Sequence, residues 1–179
     1  MAGLVVGIAD CKVSRDPDDF LITHALGSCI AIMVQDPVAK VAGLLHYMLP
    51  ESSMDAAEAS SRPFMFADTG IPLLLQSVCQ LGAVKTRLIL MAAGGAQMMD
   101  PNGTFNIGQR NHVAMRKLLW KAGVLIHKEA IGGTAPRTVR IDVGSGRVQI
   151  KTQGAKDEDL VVNSKRNGAS DGLQHPYCR

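Results

Sequence analysis

Short apolar runs separated by turn residues dominate the first third of the chain. Leu4 to Ile8, Phe20 to His24, Cys29 to Gln35 and Ala39 to Tyr47 are rich in β-branched and aliphatic residues, which predicts strands. Asp36-Pro37 lies between the last two and suits a hairpin turn with proline at its second position. The stretch from Pro50 to Ser61 is small and polar and is expected to be a surface loop. The period then lengthens. Leu74, Val78 and Leu81 recur at helical spacing and Gly82 supplies a stop. A start capped by Thr69 would leave Pro72 in the first turn, where its missing N–H costs nothing, whereas a start near Pro63 would require a kink.

A continuous apolar strand over Arg87 to Ala92 leads into Gly94-Gly95. Asn106, with Gln109 three residues on, resembles a capping box, and Val113, Leu118, Leu119 and Trp120 supply an apolar helix face that ends at Gly123. Val124 to Ala130, Arg137 to Val143 and Arg147 to Lys151 complete the strands, with Gly144-Ser145-Gly146 turning between the last two. About eight strands and two main helices, without strict alternation, predict an α+β layered domain of mostly antiparallel strands. Gly94-Gly95-Ala96 is not G-x-G-x-x-G and no phosphate-loop lysine follows, so a nucleotide-binding fold is disfavoured.

Composition bounds this picture. The 179 residues are 46% hydrophobic and only 4% aromatic, enough for one domain with an aliphatic core. Beyond about Thr152 the chain turns to Gly, Asn, Ser, Asp and Lys. The expectation is therefore a domain over 1–151 and a poorly ordered tail over 152–179. Net charge is +3, too small to argue for nucleic acid. The N-terminal apolar run has no basic flank and is interrupted by Asp10, unlike a signal peptide, and no stretch is long enough to span a membrane, so the chain reads as cytoplasmic. Reduced thiols are expected there. Cys11, Cys29, Cys79 and Cys178 form no C-x-x-C pair, which disfavours a zinc ribbon or redox motif. Cys79 reads as packed on its helix, and Cys11 as part of a turn-like stretch.

Register gives one cysteine company. A hairpin centred between Pro37 and Val38 would set Cys29 opposite His46, and a second hairpin through Ala25-Leu26-Gly27-Ser28 would set Thr23 opposite Cys29. An imidazole beside a thiol can take its proton, and a third group on the other ring nitrogen can orient it. Backbone N–H groups near Ser28 are candidate oxyanion donors. His24, adjacent to Thr23, should face the opposite side of the sheet. A metal site at His24 and His46 lacks a third ligand at motif spacing, and no metal or organic cofactor is expected.

The run Thr23-His24-Ala25-Leu26-Gly27-Ser28-Cys29, followed by Leu45-His46-Tyr47-Met48-Leu49-Pro50, resembles the chemoreceptor glutamine deamidases of bacterial chemotaxis, the CheD family. Phe66-Ala67-Asp68, Gly94-Gly95-Ala96, Phe105 to Asn111, Gly132-Gly133, Arg137 and Asp142 extend the likeness in order over about residues 4–151. Gln109 where glutamate is common, Ala92-Ala93 where a bulkier pair is frequent, and Pro136 in place of a glycine depart from the pattern. The resemblance implies an α/β/β sandwich. It also implies a cysteine–histidine–threonine set at Cys29, His46 and Thr23 that converts receptor glutamines to glutamates through a thioester, and a CheC-type phosphatase as partner.

Overall fold

The computed structural model describes residues 3–97 and 106–160. Among these residues, ten strands and three α-helices form three layers. The strands are β1 (Gly3–Val5), β2 (Asp10–Ser14), β3 (Phe20–Leu26), β4 (Ile30–Asp36), β5 (Val41–Tyr47), β6 (Ile89–Gly94), β7 (Ile126–Ile131), β8 (Arg137–Asp142), β9 (Val148–Thr152) and β10 (Glu158–Leu160). The helices are α1 (Ala56–Ser61), α2 (Ala67–Gln80) and α3 (Ile107–Lys121). One sheet runs β1-β3-β8-β9-β10 and the other β2-β5-β4-β6-β7. Both are mixed: β1 is parallel to β3 and β6 to β7, and the remaining pairs are antiparallel. This is the expected α+β sandwich.

β4 and β5 are buried along their whole length because both faces are covered. Ile30, Ile32, Val34, Val41, Leu45 and Tyr47 point toward the helices, while Ala31, Met33, Ala42 and Leu44 point into the gap between the sheets. That alternation places two apolar cores on opposite sides of one sheet. α2 closes the first with Ile71, Leu74, Leu75 and Val78. It approaches so closely that a Cβ on Gly43 of β5 would come within 2.7 Å of a Leu74 methyl and 2.9 Å of a Val78 methyl. Each leucine so buried is worth about 1.5–3 kcal/mol.

Several expectations change. Asp10–Ser14 is an edge strand, and Cys11 lies in it, not in a turn. The polar stretch after Pro50 contains α1, capped by the Asp55 carboxylate accepting from the Glu58 N–H. α2 starts at Ala67 without a side-chain cap and carries Pro72 in its interior, while Thr69 donates to the Pro63 and Phe66 carbonyls. The Asn106 side chain meets that of Gln109 and caps no backbone N–H, and Asn106 itself is left-handed at φ +45°. α3 buries Gly108, Asn111, Met115 and Leu119, leaving Val113 and Trp120 in solvent at 59% and 80% exposure. The glycine turn between β8 and β9 is as expected, with Gly146 N–H donating to the Asp142 carbonyl. β10 pairs with β9 past residue 151, and residues 161–179 lie outside those described.

Candidate active site

Three of the expected side chains border the gap between the two sheets, and two of them, Thr23 and His46, are hydrogen-bonded to each other. Thr23 of β3 and His46 of β5 are buried, at 0% and 1% exposure, and Cys29 is half-buried in the bend before β4. Thr23 follows Leu21 on the inner face of its sheet, and His46 follows Ala42 and Leu44 on the inner face of the other. Cys29 packs on the same core, in phase with Ala31 and Met33.

The pairing that brings them together differs from the expected one. β4 and β5 pair two residues out of the anticipated register, so Ala31, not Cys29, opposes His46. A shift of two keeps every side chain on its face, and Cys29 therefore remains on the His46 side. The second hairpin does not exist. Ala25 takes φ +56° at a register shift between Thr23 and Leu26, and the chain then crosses to the other sheet. Thr23 pairs with Val139 of β8 and reaches His46 across the gap.

One hydrogen-bond pair defines the imidazole's tautomer. Thr23 Oγ1 donates its single proton to the Val6 carbonyl at 2.8 Å. It therefore accepts from His46 Nδ1–H, also at 2.8 Å. The proton sits on Nδ1 and the Nε2 lone pair is free. Nε2 is buried and has no hydrogen-bond partner among the described residues, the Cys29 thiol included. Burial lowers the His46 pKa to about 4, partly opposed by the nearby Asp10 carboxylate, and raises that of Cys29. The resting groups are thus a neutral thiol and a neutral imidazole on the same face of the gap.

The loop that carries the thiol is held by its carbonyls. Gly27 O accepts from Ala96 N–H at 2.7 Å, Cys29 O from Gly95 N–H at 2.8 Å, and Ser28 O from Asn111 Nδ2 at 3.1 Å. In a trans peptide the following N–H points opposite to the carbonyl. The Ser28 and Cys29 N–H groups are thereby turned away from their anchors, and the Cys29 N–H lies against its own thiol, an interaction that partly opposes the effect of burial on its pKa. Only glycine fits at position 94, where a Cβ would stand 2.3 Å from Cys29 O.

Asn111 was not anticipated. Fully buried on α3, it also donates from Nδ2 to Met48 O at 2.7 Å, and its backbone carbonyl accepts from Tyr47 Oη at 2.9 Å. It ties the Cys29 loop to the end of the strand carrying His46. Its burial in an otherwise apolar stripe (108, 111, 115, 119) is a signal only once the helix face is known.

The remaining candidates lie elsewhere. His24 is exposed, as alternation predicts, and its Nδ1 is 3.5 Å from Thr138 Oγ1. His112 bonds Glu129, and His127 Nδ1 accepts from Leu90 N–H. Cys11 faces the helix-side core, where burial and the adjacent Asp10 charge raise its pKa to about 12, so it is an inert thiol. Cys79 packs on α2 as expected but is disulfide-bonded, against the expectation of reduced thiols. A pocket of about 260 Å³ beside Gly95 and Gly132 is lined by none of Thr23, Cys29 or His46. No described helix is long and apolar enough to cross a membrane.

A family model and the curated relatives agree on one family. The model described as CheD chemotactic sensory transduction matches residues 48–152. A probable chemoreceptor glutamine deamidase CheD of Solibacter usitatus is 51% identical over 95% of this chain and 100% of its own length. A second, of Syntrophus aciditrophicus, is 48% identical over 89% of this chain and 100% of its own. A solved Bacillus licheniformis protein, described as hypothetical protein YfiH, overlays at TM-score 0.41 with 14% identity, covering 70% of this chain and 51% of that one.

Proposed function

The chain belongs to the CheD family, and on that premise we propose that it is a chemoreceptor glutamine deamidase using Cys29 as nucleophile. The observation that carries this reading is the Thr23–His46 hydrogen bond. It fixes the proton on Nδ1 and leaves Nε2 as an unpartnered base on the face that Cys29 shares.

With both groups neutral, proton transfer and attack belong to one event. As a receptor glutamine seats, the Cys29 proton passes to His46 Nε2 and sulfur bonds to the γ-carboxamide carbon. The carbonyl oxygen becomes an oxyanion, for which the Ser28 and Cys29 N–H groups are the available donors. The imidazolium returns its proton to the nitrogen, the C–N bond breaks, and ammonia departs. A thioester remains. Water, deprotonated by His46, attacks the acyl carbon, the C–S bond breaks, His46 returns the proton to sulfur, and glutamate is released with the thiol regenerated. Thr23 holds the ring in one orientation and one tautomer throughout. No step calls for a metal or an organic cofactor.

The substrate side chains belong to the cytoplasmic helices of chemoreceptors, so the working location is the cytoplasm. A phosphatase of the CheC type is the proposed protein partner. The test is mass spectrometry of receptor cytoplasmic fragments after incubation. Each converted glutamine gains about one dalton, by exchange of NH2 for OH. The wild-type protein should produce the gain, and unchanged receptor masses under wild-type treatment would overturn the reading.

A further inference from the structure

His46 gains a positive charge at each turnover in a position that is 1% exposed. Thr23 cannot offset that charge, because it is neutral and its proton is committed to Val6 O. A buried cation without a counter-charge is costly to form, so the site needs one.

β2 lies beside β5, and its first residue, Asp10, is the direct cross-strand partner of His46. Directly opposed residues project to the same face with Cβ atoms about 4.5–5.5 Å apart. The faces agree: Cys11 and Val13 pack into the helix-side core, which leaves Asp10, Lys12 and Ser14 beside His46, Leu44 and Ala42 in the gap between the sheets. The carboxylate is fixed in place. Oδ2 accepts from Gly7 N–H at 3.1 Å and Oδ1 from Cys11 N–H at 2.7 Å, across a turn that holds Ala9 at φ +56°. Across the sheet His46 is therefore flanked by Asp10 on one side and by Ala31, two residues beyond Cys29, on the other.

We propose that Asp10 is a positioning residue whose carboxylate stabilises the imidazolium that His46 becomes when it takes the Cys29 proton. This rests on the cysteine–histidine reading above. Among the described residues, the other ionisable groups on the faces bordering this gap are the Cys29 thiol, the Lys12 ammonium of β2, which lies 3.9 Å from Asp10 Oδ2, and, from β8, Arg137, in phase with Val139 and Ile141, whose guanidinium donates to the Gly94 and Gly132 carbonyls. Tyr47 points to the opposite face. The Asp10 charge raises the His46 pKa against the effect of burial, in the direction the proposal requires.

The test is a double-mutant cycle read in two ways on the full chain: ammonia release from receptor fragments, and alkylation of Cys29 by iodoacetamide at pH 7, followed by peptide mass spectrometry. Alkylation also needs the thiol proton to pass to His46, with sulfur displacing iodide, but no receptor. Asp10→Asn should slow both about tenfold, the equivalent of about one pKa unit on His46. Asp10→Glu should retain the rate within about threefold, because it keeps the charge. In a His46→Ala background Asp10→Asn should have no further effect. Asp10→Ser, whose hydroxyl can still accept from Gly7 N–H, repeats the measurement should the asparagine variant fold poorly. Unchanged alkylation in Asp10→Asn, or an equal slowing with and without His46, would overturn the proposal. Receptors left unmodified by the wild type would overturn the deamidase reading alone, with the alkylation cycle still deciding the role of Asp10.

Discussion

The two ends of β4 carry two buried polar sites built on opposite principles. At the C-terminal end, Asp36 is 0% exposed and each of its oxygens is engaged. Oδ1 accepts from Val38 and Ala39 N–H and from Arg87 Nε, and Oδ2 from Val84 N–H and the Arg87 guanidinium at 2.7 Å. Despite the burial, Arg87 and these N–H groups hold its pKa down to about 2. At the N-terminal end, two buried atoms have no hydrogen-bond partner among the described residues, His46 Nε2 and Asn111 Oδ1. Buried polar groups are ordinarily satisfied, and each exception costs about 1–3 kcal/mol. The Asp36 site is closed and adds stability. The His46 site keeps a lone pair open at a cost in stability, as the proposed role of a base requires.

That contrast is breakable by mutation, and the largest effect should be chemical. His46→Gln removes the base and should lower the rate of ammonia release about 10⁴-fold with a native circular dichroism spectrum. At the other end the expectation inverts. Asp36→Ala leaves three backbone N–H donors and a guanidinium without their carboxylate and should cost about 4 kcal/mol in urea unfolding. Its rate per folded molecule should stay near wild type. Loss of activity beyond the loss of folded protein would mean that the two ends are not separate.

A smaller effect appears in pH dependence. The His46 pKa falls from 6.5 to about 4 on folding, so between those values the unfolded chain binds the proton that the folded chain refuses. Stability from this group is complete above about pH 6.5 and is lost as pH falls toward 4, by about 3 kcal/mol in all. Chemical denaturation across that range should show the slope, and His46→Gln should flatten it. An unchanged slope would mean that His46 titrates normally and is not the buried neutral base. The mildest change is Thr23→Val, which keeps the shape and deletes the hydroxyl. The tautomer is then unguided, and kcat should drop about tenfold with KM little altered.

Much of this geometry was legible in the sequence, for reasons that differ by residue. Asp36-Pro37 marked the β4–β5 turn, and two-residue periodicity put Cys29 and His46 on one face even though the register was off by two. Thr23 was found through a hairpin that does not exist. A short turn between two strands reads the same whether the second strand joins the first sheet or crosses to another, and the crossing depends on left-handed Ala25. β2 escaped notice because an edge strand bordering both the core and solvent carries Asp10, Lys12 and Ser14 on one face, which erases the apolar signal. The face of α3 was misplaced because Asn111 and Gly108 are buried by contacts with distant loops, while Val113 and Trp120 are left outside. What pattern alone could not give was set by tertiary contact: which sheet a strand joins, and which polar residue lies under a loop.

The central claim is that the open lone pair at His46 serves the thiol of Cys29. It is tested most directly by measuring ammonia release from receptor fragments with purified Cys29→Ala protein, under conditions where its circular dichroism and thermal melt match the wild type. The account predicts no release above the rate without enzyme, while wild-type protein in parallel releases one ammonia for each glutamine converted. Sustained release by the folded Cys29→Ala protein would contradict it.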